Sequence, residues 1–237
     1  MSARVNAYGQ PIGPALPGWS PRPRPPRTPL VGRICRVVPM DADAHASGLL
    51  ALFRAAPDAS GWTYLGDDLP EGEAAYHERL ARLSAGDDPL FHVVLDAATG
   101  APIGIASYLR IDPGSGVIEV GHIHFGPTLK RTPAATEAMA LMMARAFDEL
   151  GYRRYEWKCD SLNAPSRAAA LRYGFTFEGV FRKAVVVKGR SRDTAWFSIT
   201  DDEWPRVRAG FEAWLEPGNF DAQGGQRQRL ADLRPAP

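Results

Sequence analysis

Cysteine is nearly absent from this chain, with 2 in 237 residues. Cys35 and Cys159 stand far apart and form no CxxC pair, which excludes a disulfide framework and a cysteine-built metal site and suits a reducing compartment. No charge of one sign accumulates either. Against 28 Lys and Arg stand 27 Asp and Glu, a net of +1, so nothing marks nucleic acid or an anionic membrane surface as a partner. No apolar run approaches the ~20 residues of a membrane helix, and no signal-peptide core stands at the N-terminus, so the expected location is the cytoplasm. No internal repeat is visible. Hydrophobic content of 45% and charged content of 23% are those of an ordinary globular protein, and 237 residues suffice for one domain with appendages.

The appendages are legible from composition. Residues 1–30 are rich in proline, glycine and arginine, with Pro21-Arg22-Pro23-Arg24-Pro25-Pro26-Arg27 at the centre, and read as an extended arm. Residues 31–216 form the domain. Residues 217–237 read as a polar, frayed tail.

Two helix starts carry the chemical signal. Val117 to Phe125 is β-rich and leads through Lys130-Arg131 to Thr132, an N-cap, and Pro133 at N1, where its missing N–H costs nothing. Apolar residues then recur at Ala135, Met139, Met142, Met143, Ala146, Phe147 and Leu150 until Gly151 stops the helix. Tyr152 to Cys159 alternates as a strand. Asn163 then caps a second helix, with Pro165 in its first turn and Gly174 at its end. Helix N-termini present free N–H groups and a positive dipole end, so two of them after neighbouring strands predict a cleft for a phosphate-bearing cofactor.

The remaining elements follow the same logic. Strands are expected at 33–38, 91–95, 103–109 and 175–181, and a hairpin at 185–187 and 194–199. Helices are expected at 41–56, 71–85 and 203–215, with 59–70 a loop. Strand and helix alternating in this way predict a mixed α/β domain around a central sheet.

At this point the chain resembles the GNAT superfamily of acyl-CoA-dependent N-acetyltransferases, in particular its RimJ/RimL-like branch. The matching pieces are Ala135-Thr136-Glu137-Ala138 after the basic turn, Asn163-Ala164-Pro165-Ser166 followed by Tyr173-Gly174-Phe175, and the closing hairpin from Lys188 to Phe197. The resemblance covers roughly residues 33–200 and implies a mostly antiparallel, partly splayed sheet flanked by helices. It also implies acetyl-CoA as co-substrate, with no metal. The family's phosphate loop has glycine where this chain has Pro133, which removes one amide. Lys130, Arg131, Thr132, the amides of Ala134, Ala135 and Thr136, and the Thr136 hydroxyl are left to hold the anion, with Asn163 and Ser166 along the pantetheine arm.

Acetyl transfer from a thioester to an amine needs the two held together, a base, and a donor for the departing thiolate. Glu119, on the strand before the basic turn, matches a position that often holds glutamate in the RimL-like branch and is the first candidate base. His122 and His124, two residues apart on the same strand, are the alternatives, as is water. Many relatives use a tyrosine donor where this chain has Ala170, which shifts the role to Ser166, either as thiolate donor or as a capping serine. Tyr173 reads as core and Cys159 as structural. Trp62 and Tyr64, in the loop before the second helix, line the acceptor side or plug the core beneath it, and Asp67-Asp68 would draw a cationic amine.

The function so implied is direct acetyl transfer to a primary amine, on a protein or peptide N-terminus or on a small metabolite or antibiotic, by a monomer or homodimer. Pro133 and the missing tyrosine also fit a catalytically silent CoA-binding or scaffold protein.

Overall fold

A computed structural model describes residues 4–236. Its first three strands are two residues each: β1 (Arg4–Val5) and β2 (Pro11–Ile12) pair as a small hairpin, and β3 (Leu30–Val31) joins the main sheet. Then follow β4 (Cys35–Pro39), α1 (Ala42–Arg54), α2 (Glu73–Ala85), β5 (Leu90–Asp96), β6 (Pro102–Asp112), β7 (Val117–Phe125) and α3 (Pro133–Ala144). The chain closes with β8 (Arg154–Asp160), α4 (Ala164–Tyr173), β9 (Thr176–Val187), β10 (Arg190–Thr200) and α5 (Trp204–Leu215).

Eight strands form one sheet in the order β3-β4-β5-β6-β7-β8-β10-β9, antiparallel throughout except between β7 and β8. Period-two alternation decides which helices cover which face. Phe91, Val93 and Ile105 point toward α1 and α2, in a cluster with Leu49, Phe53 and Leu80. Leu90, Val94, Ile118, Tyr155 and Trp157 point the other way, into the larger core beneath α3 and α5. This is the mixed, helix-flanked sheet that the sequence predicts.

Several details differ from the sequence reading. The helix expected to run to Gly151 is α-helical only to Ala144, and Arg145–Glu149 form a π turn, with Leu150 N–H donating to the Arg145 carbonyl. Arg145 begins this turn. Its side chain is buried and reaches Thr28 Oγ1 at 3.0 Å and Glu149 at 2.7 Å. The expected strand at 175–181 and the first arm of the hairpin are one element, β9. It bulges at Lys183, whose φ is 52° and whose N–H donates to Asp193.

The arm is tied to the domain by its own side chains. Trp19 Nε1 donates to the Gly114 carbonyl at 2.9 Å beneath the Arg22 guanidinium, and Arg27 binds Asp87. The tail does not fray in its described part. Leu230 is buried, Trp214 Nε1 reaches Gln226 at 2.9 Å, and Arg234 folds over Gly210 to the Arg172 carbonyl. The first three arm residues and Pro237 lie outside the described residues.

Candidate active site

The parallel pair that positions the site is short. β7 and β8 are in register only from Val117–Arg154 to Val120–Trp157. Beyond that point β7 runs on to Phe125 against β6 alone, and β8 runs on to Asp160 against β10 alone. The two strands therefore splay, and each leaves a row of unpaired backbone N–H and C=O groups facing a wedge. A cleft of about 260 Å³ fills the wedge, walled by Tyr64, Glu119, His122, Trp157, Asn163 and Ser166 among others. Open ladder groups at the C-terminal ends of parallel strands suit an extended, amide-bearing arm such as pantetheine.

A bulge aims His122 into this cleft. Pairing slips between Gly121 and His124, and His122 takes a φ of 49°, a left-handed conformation uncommon for a residue with a side chain. Its Nδ1 lies 2.8 Å from Ser107 Oγ, which itself donates to the Gly121 carbonyl at 3.2 Å. In the tautomer in which Ser107 gives its proton to that carbonyl, Ser107 accepts Nδ1–H and Nε2 keeps the lone pair. His122 is itself exposed at the cleft mouth, and the protein crowded around its ring, then the nearby Arg110 charge, lower its pKa from the ordinary value. A lowered pKa favours the neutral imidazole at this position.

His124 differs. It stacks on Phe53 at 3.9 Å, meets Trp62 edge-on at 4.6 Å, and burial lowers its pKa to about 4. It is a packing group.

Glu119 lies at the floor of the cleft, 2% exposed. It stands directly opposite Glu156 in the parallel register, and two like charges in that position repel. Lys158, two residues along the same face, places Nζ 2.8 Å from Glu119 and 2.7 Å from Glu156. Arg110 adds 2.7 Å to Glu119, and Arg154 adds 2.6 Å to Glu156. Burial raises the Glu119 pKa, while Lys158 and Arg110 pull it back down. Both of its oxygens hold a cation, which weakens it as a base.

Ser166 is not the cap of α4. Asn163 Oδ1 takes that role by accepting Ser166 N–H at 3.1 Å, which leaves the Asn163 amide N–H groups for the cleft. Ser166 Oγ instead accepts Trp157 Nε1–H at 3.0 Å, and its own hydroxyl can donate either into the cleft or to the Cys159 sulfur beside it. Cys159 is buried nearby, and burial raises its pKa.

The α3 start opens at the same end of the sheet but is not among the cleft walls. Its expected cradle is narrower than the sequence suggests. Thr132 Oγ1 accepts Ala135 N–H at 3.3 Å, Pro133 has no N–H, and the Thr136 N–H lies beyond the unpaired first turn. The Thr136 hydroxyl is buried and accepts from Arg172 Nη1 at 3.0 Å. The Ala134 amide and the exposed Lys130 and Arg131 side chains remain to meet an anion, with Arg131 at a φ of 62°. Arg172 was not legible as a site residue. It is half-buried with no carboxylate partner among the described residues, and only the fold brings it under Thr136.

On the acceptor side, Tyr64 lines the cleft and its hydroxyl donates to the Leu162 carbonyl at 3.2 Å. Trp62 does not line it. The indole is 3% exposed and packs edge-on against Phe53 at 5.7 Å, with Arg79 above it at 5.2 Å, so Trp62 is a core plug. Asp67 and Asp68 are already paired, to Arg79 and to Lys188, and offer no free charge to a cationic amine. Lys188 also donates to the Trp62 carbonyl and Arg190 to the Thr63 carbonyl, which ties the β9–β10 turn to this loop.

With that geometry in hand, comparison with known proteins is direct. Residues 36–176 match the family model of the acetyltransferase (GNAT) domain. A GCN5-related N-acetyltransferase from Brucella melitensis is 47% identical over 92% of this chain and 99% of its own, with a TM-score of 0.90. A protein described as a probable acetyltransferase of the GNAT family, from Chromobacterium violaceum, is 42% identical over 83% of this chain and 98% of its own, with a TM-score of 0.77. The microcin C7 self-immunity acetyltransferase MccE, solved with acetyl-CoA and AMP, shares the fold at 20% identity and a TM-score of 0.63, covering 71% of this chain and 93% of its own. No curated protein sequence matches the chain. No helix among the described residues is long and apolar enough to cross a membrane. The splayed sheet, the family match across more than half the chain and the 47% identity agree: this chain belongs to the GNAT acetyltransferase family, whose members use acetyl-CoA.

Proposed function

We propose that this protein transfers the acetyl group of acetyl-CoA directly to a primary amine, in the manner of the RimJ/RimL-like branch, with a peptide or protein N-terminus the first acceptor class. The observation that carries the reading is the wedge between β7 and β8. It brings an imidazole (His122), a hydroxyl (Ser166) and two unpaired strand edges to one cleft of about 260 Å³.

Each residue then has one task. The unpaired edge of β7 beyond Val120 and the Asn163 amide hold the pantetheine arm by hydrogen bonds, as a strand would be held. Lys130, Arg131 and the Ala134 amide meet the phosphates outside the cleft. His122 Nε2 removes a proton from the amine nitrogen as that nitrogen bonds to the thioester carbonyl carbon. Ser166 Oγ–H hydrogen-bonds the sulfur and stabilises the departing thiolate as the carbon–sulfur bond breaks, and the proton that His122 took from the amine returns to the sulfur, giving amide and thiol. The Arg110-Glu119-Lys158-Glu156 ladder fixes the charge of the cleft floor.

Two further readings have their own support. Glu119 is raised in pKa and lines the cleft, which favours it as a base if an ion pair opens. Pro133 and the single free amide of α3 favour a protein that binds CoA without turnover. Thiol release from acetyl-CoA with a broad panel of amines tests the reading. We expect amine-dependent release; none with any amine, alongside measurable CoA binding, would support the silent form.

A further inference from the structure

A second cavity, of about 250 Å³, lies beneath the loop joining α1 to α2. Its walls are chiefly apolar: Leu65, Leu83, Pro89, Phe91 and Ile105. At its rim Arg79 and Asp67 grip each other through two hydrogen bonds, with Arg79 Nη1 buried and unpartnered, and His124 is neutral in its stack on Phe53. Leu65, Gly66 and His122 line both this cavity and the cleft. The two spaces therefore meet at the imidazole that takes the proton, with Phe91 4.9 Å from that ring. Pockets that take a drug-sized ligand whole hold ~300–1,000 Å³, so this one suits a single side chain.

Resting on the acetyl-transfer reading, we propose that this cavity seats an uncharged apolar group of the acceptor. The acceptor is then an α-amine of the kind found on a peptide whose first residue carries a leucine- or phenylalanine-sized side chain. A cationic substituent is rejected, because it would be stripped of water between Leu83, Phe91 and Ile105 and would meet the Arg79 guanidinium.

The test is a panel of amino-acid amides sharing one head group: glycinamide, leucinamide, phenylalaninamide and lysinamide. Leucinamide or phenylalaninamide should exceed glycinamide and lysinamide in kcat/KM by about ten- to a hundredfold, the factor that burial of one such side chain supplies. Leu83→Trp fills the cavity from the partly exposed face of α2 and should collapse that ratio, while CoA still raises the melting temperature. Ile105→Ala enlarges the cavity and should shift preference from leucinamide toward phenylalaninamide. Equal kcat/KM across the panel, or ratios untouched in both variants, overturns the inference. So does CoA binding with no amide turned over. If CoA leaves the melting temperature unchanged, the acetyl-transfer reading beneath it fails instead.

Discussion

Lys158 holds together a floor that would otherwise repel itself. Glu119 and Glu156 face each other across the parallel β7–β8 register, 2% and 6% exposed, and Lys158 Nζ bridges them at 2.8 and 2.7 Å. Its ammonium also sits 3.7 Å from the centre of a Trp196 ring. In Lys158→Met the stem still packs, but both carboxylates lose their shared partner and keep only Arg110 and Arg154 at their outer ends. Removing one member of a buried ion cluster costs about 3–5 kcal/mol. For a domain of this size each kcal/mol moves the melting temperature by ~2–4 °C, so the midpoint should fall by roughly 6–20 °C. Urea titration and thermal melts at pH 7 measure this. The same variant should raise the Glu119 pKa, because the largest opposing attraction is gone. With His122 as base, the acid limb of the rate profile stays in place. A melting temperature within 2 °C of the parent would refute the reasoning about the floor.

Ser166→Ala should lower kcat by about tenfold with little change in the KM for acetyl-CoA, since a hydroxyl that meets developing thiolate charge acts in the transition state. It should cost only ~1 kcal/mol of stability, because the helix keeps its Asn163 cap and only the Trp157 indole loses an acceptor. Replacing Lys130 and Arg131 together by alanine should weaken CoA binding tenfold or more by calorimetry, and the loss should shrink at high salt, as exposed cations on phosphate are screened. His92 and His124 are both buried with pKa values lowered to about 4. Each stays neutral in the fold, so its contribution is complete above the ordinary histidine pKa and is lost as pH falls from about 6.5 to 4, on the order of 3 kcal/mol at most per ring. His124→Phe, which keeps the stack on Phe53, should flatten the fall in urea stability between pH 6.5 and 4.

The elements were legible where local chemistry decides them. Asp41, Thr132 and Asn163 cap the helices that follow, and Gly174, at a φ of 102°, stops α4. The β-rich run from Val117 to Phe125 coincides with β7. What escaped depends on contacts distant in sequence. The π turn follows from the burial of Arg145 against Thr28, and the ordered tail follows from Leu230 and Arg234 docking on α5 and α4. Among site candidates, Tyr64, Glu119, Asn163 and Ser166 meet in one cleft, while Trp62 sinks beneath the loop because Phe53 and His124 offer it an aromatic slot. The contact of His122 with Ser107, a strand away, was invisible because it depends on a bulge. The pairing of Asp67 and Asp68 was equally hidden, because Arg79 and Lys188 reach them from α2 and the β9–β10 turn.

The most direct test of the account compares His122→Gln with Glu119→Gln in acetyl transfer from acetyl-CoA to leucinamide across pH. General-base catalysis contributes about 10²–10⁴-fold, so His122→Gln should lose at least a hundredfold in kcat, with CoA still raising the melting temperature. It should also lose the acid limb that, in the parent, lies below the ordinary histidine pKa. Glu119→Gln should keep that limb. Full activity in His122→Gln, with the rate and the limb lost in Glu119→Gln, would contradict the account and return the base to the buried carboxylate.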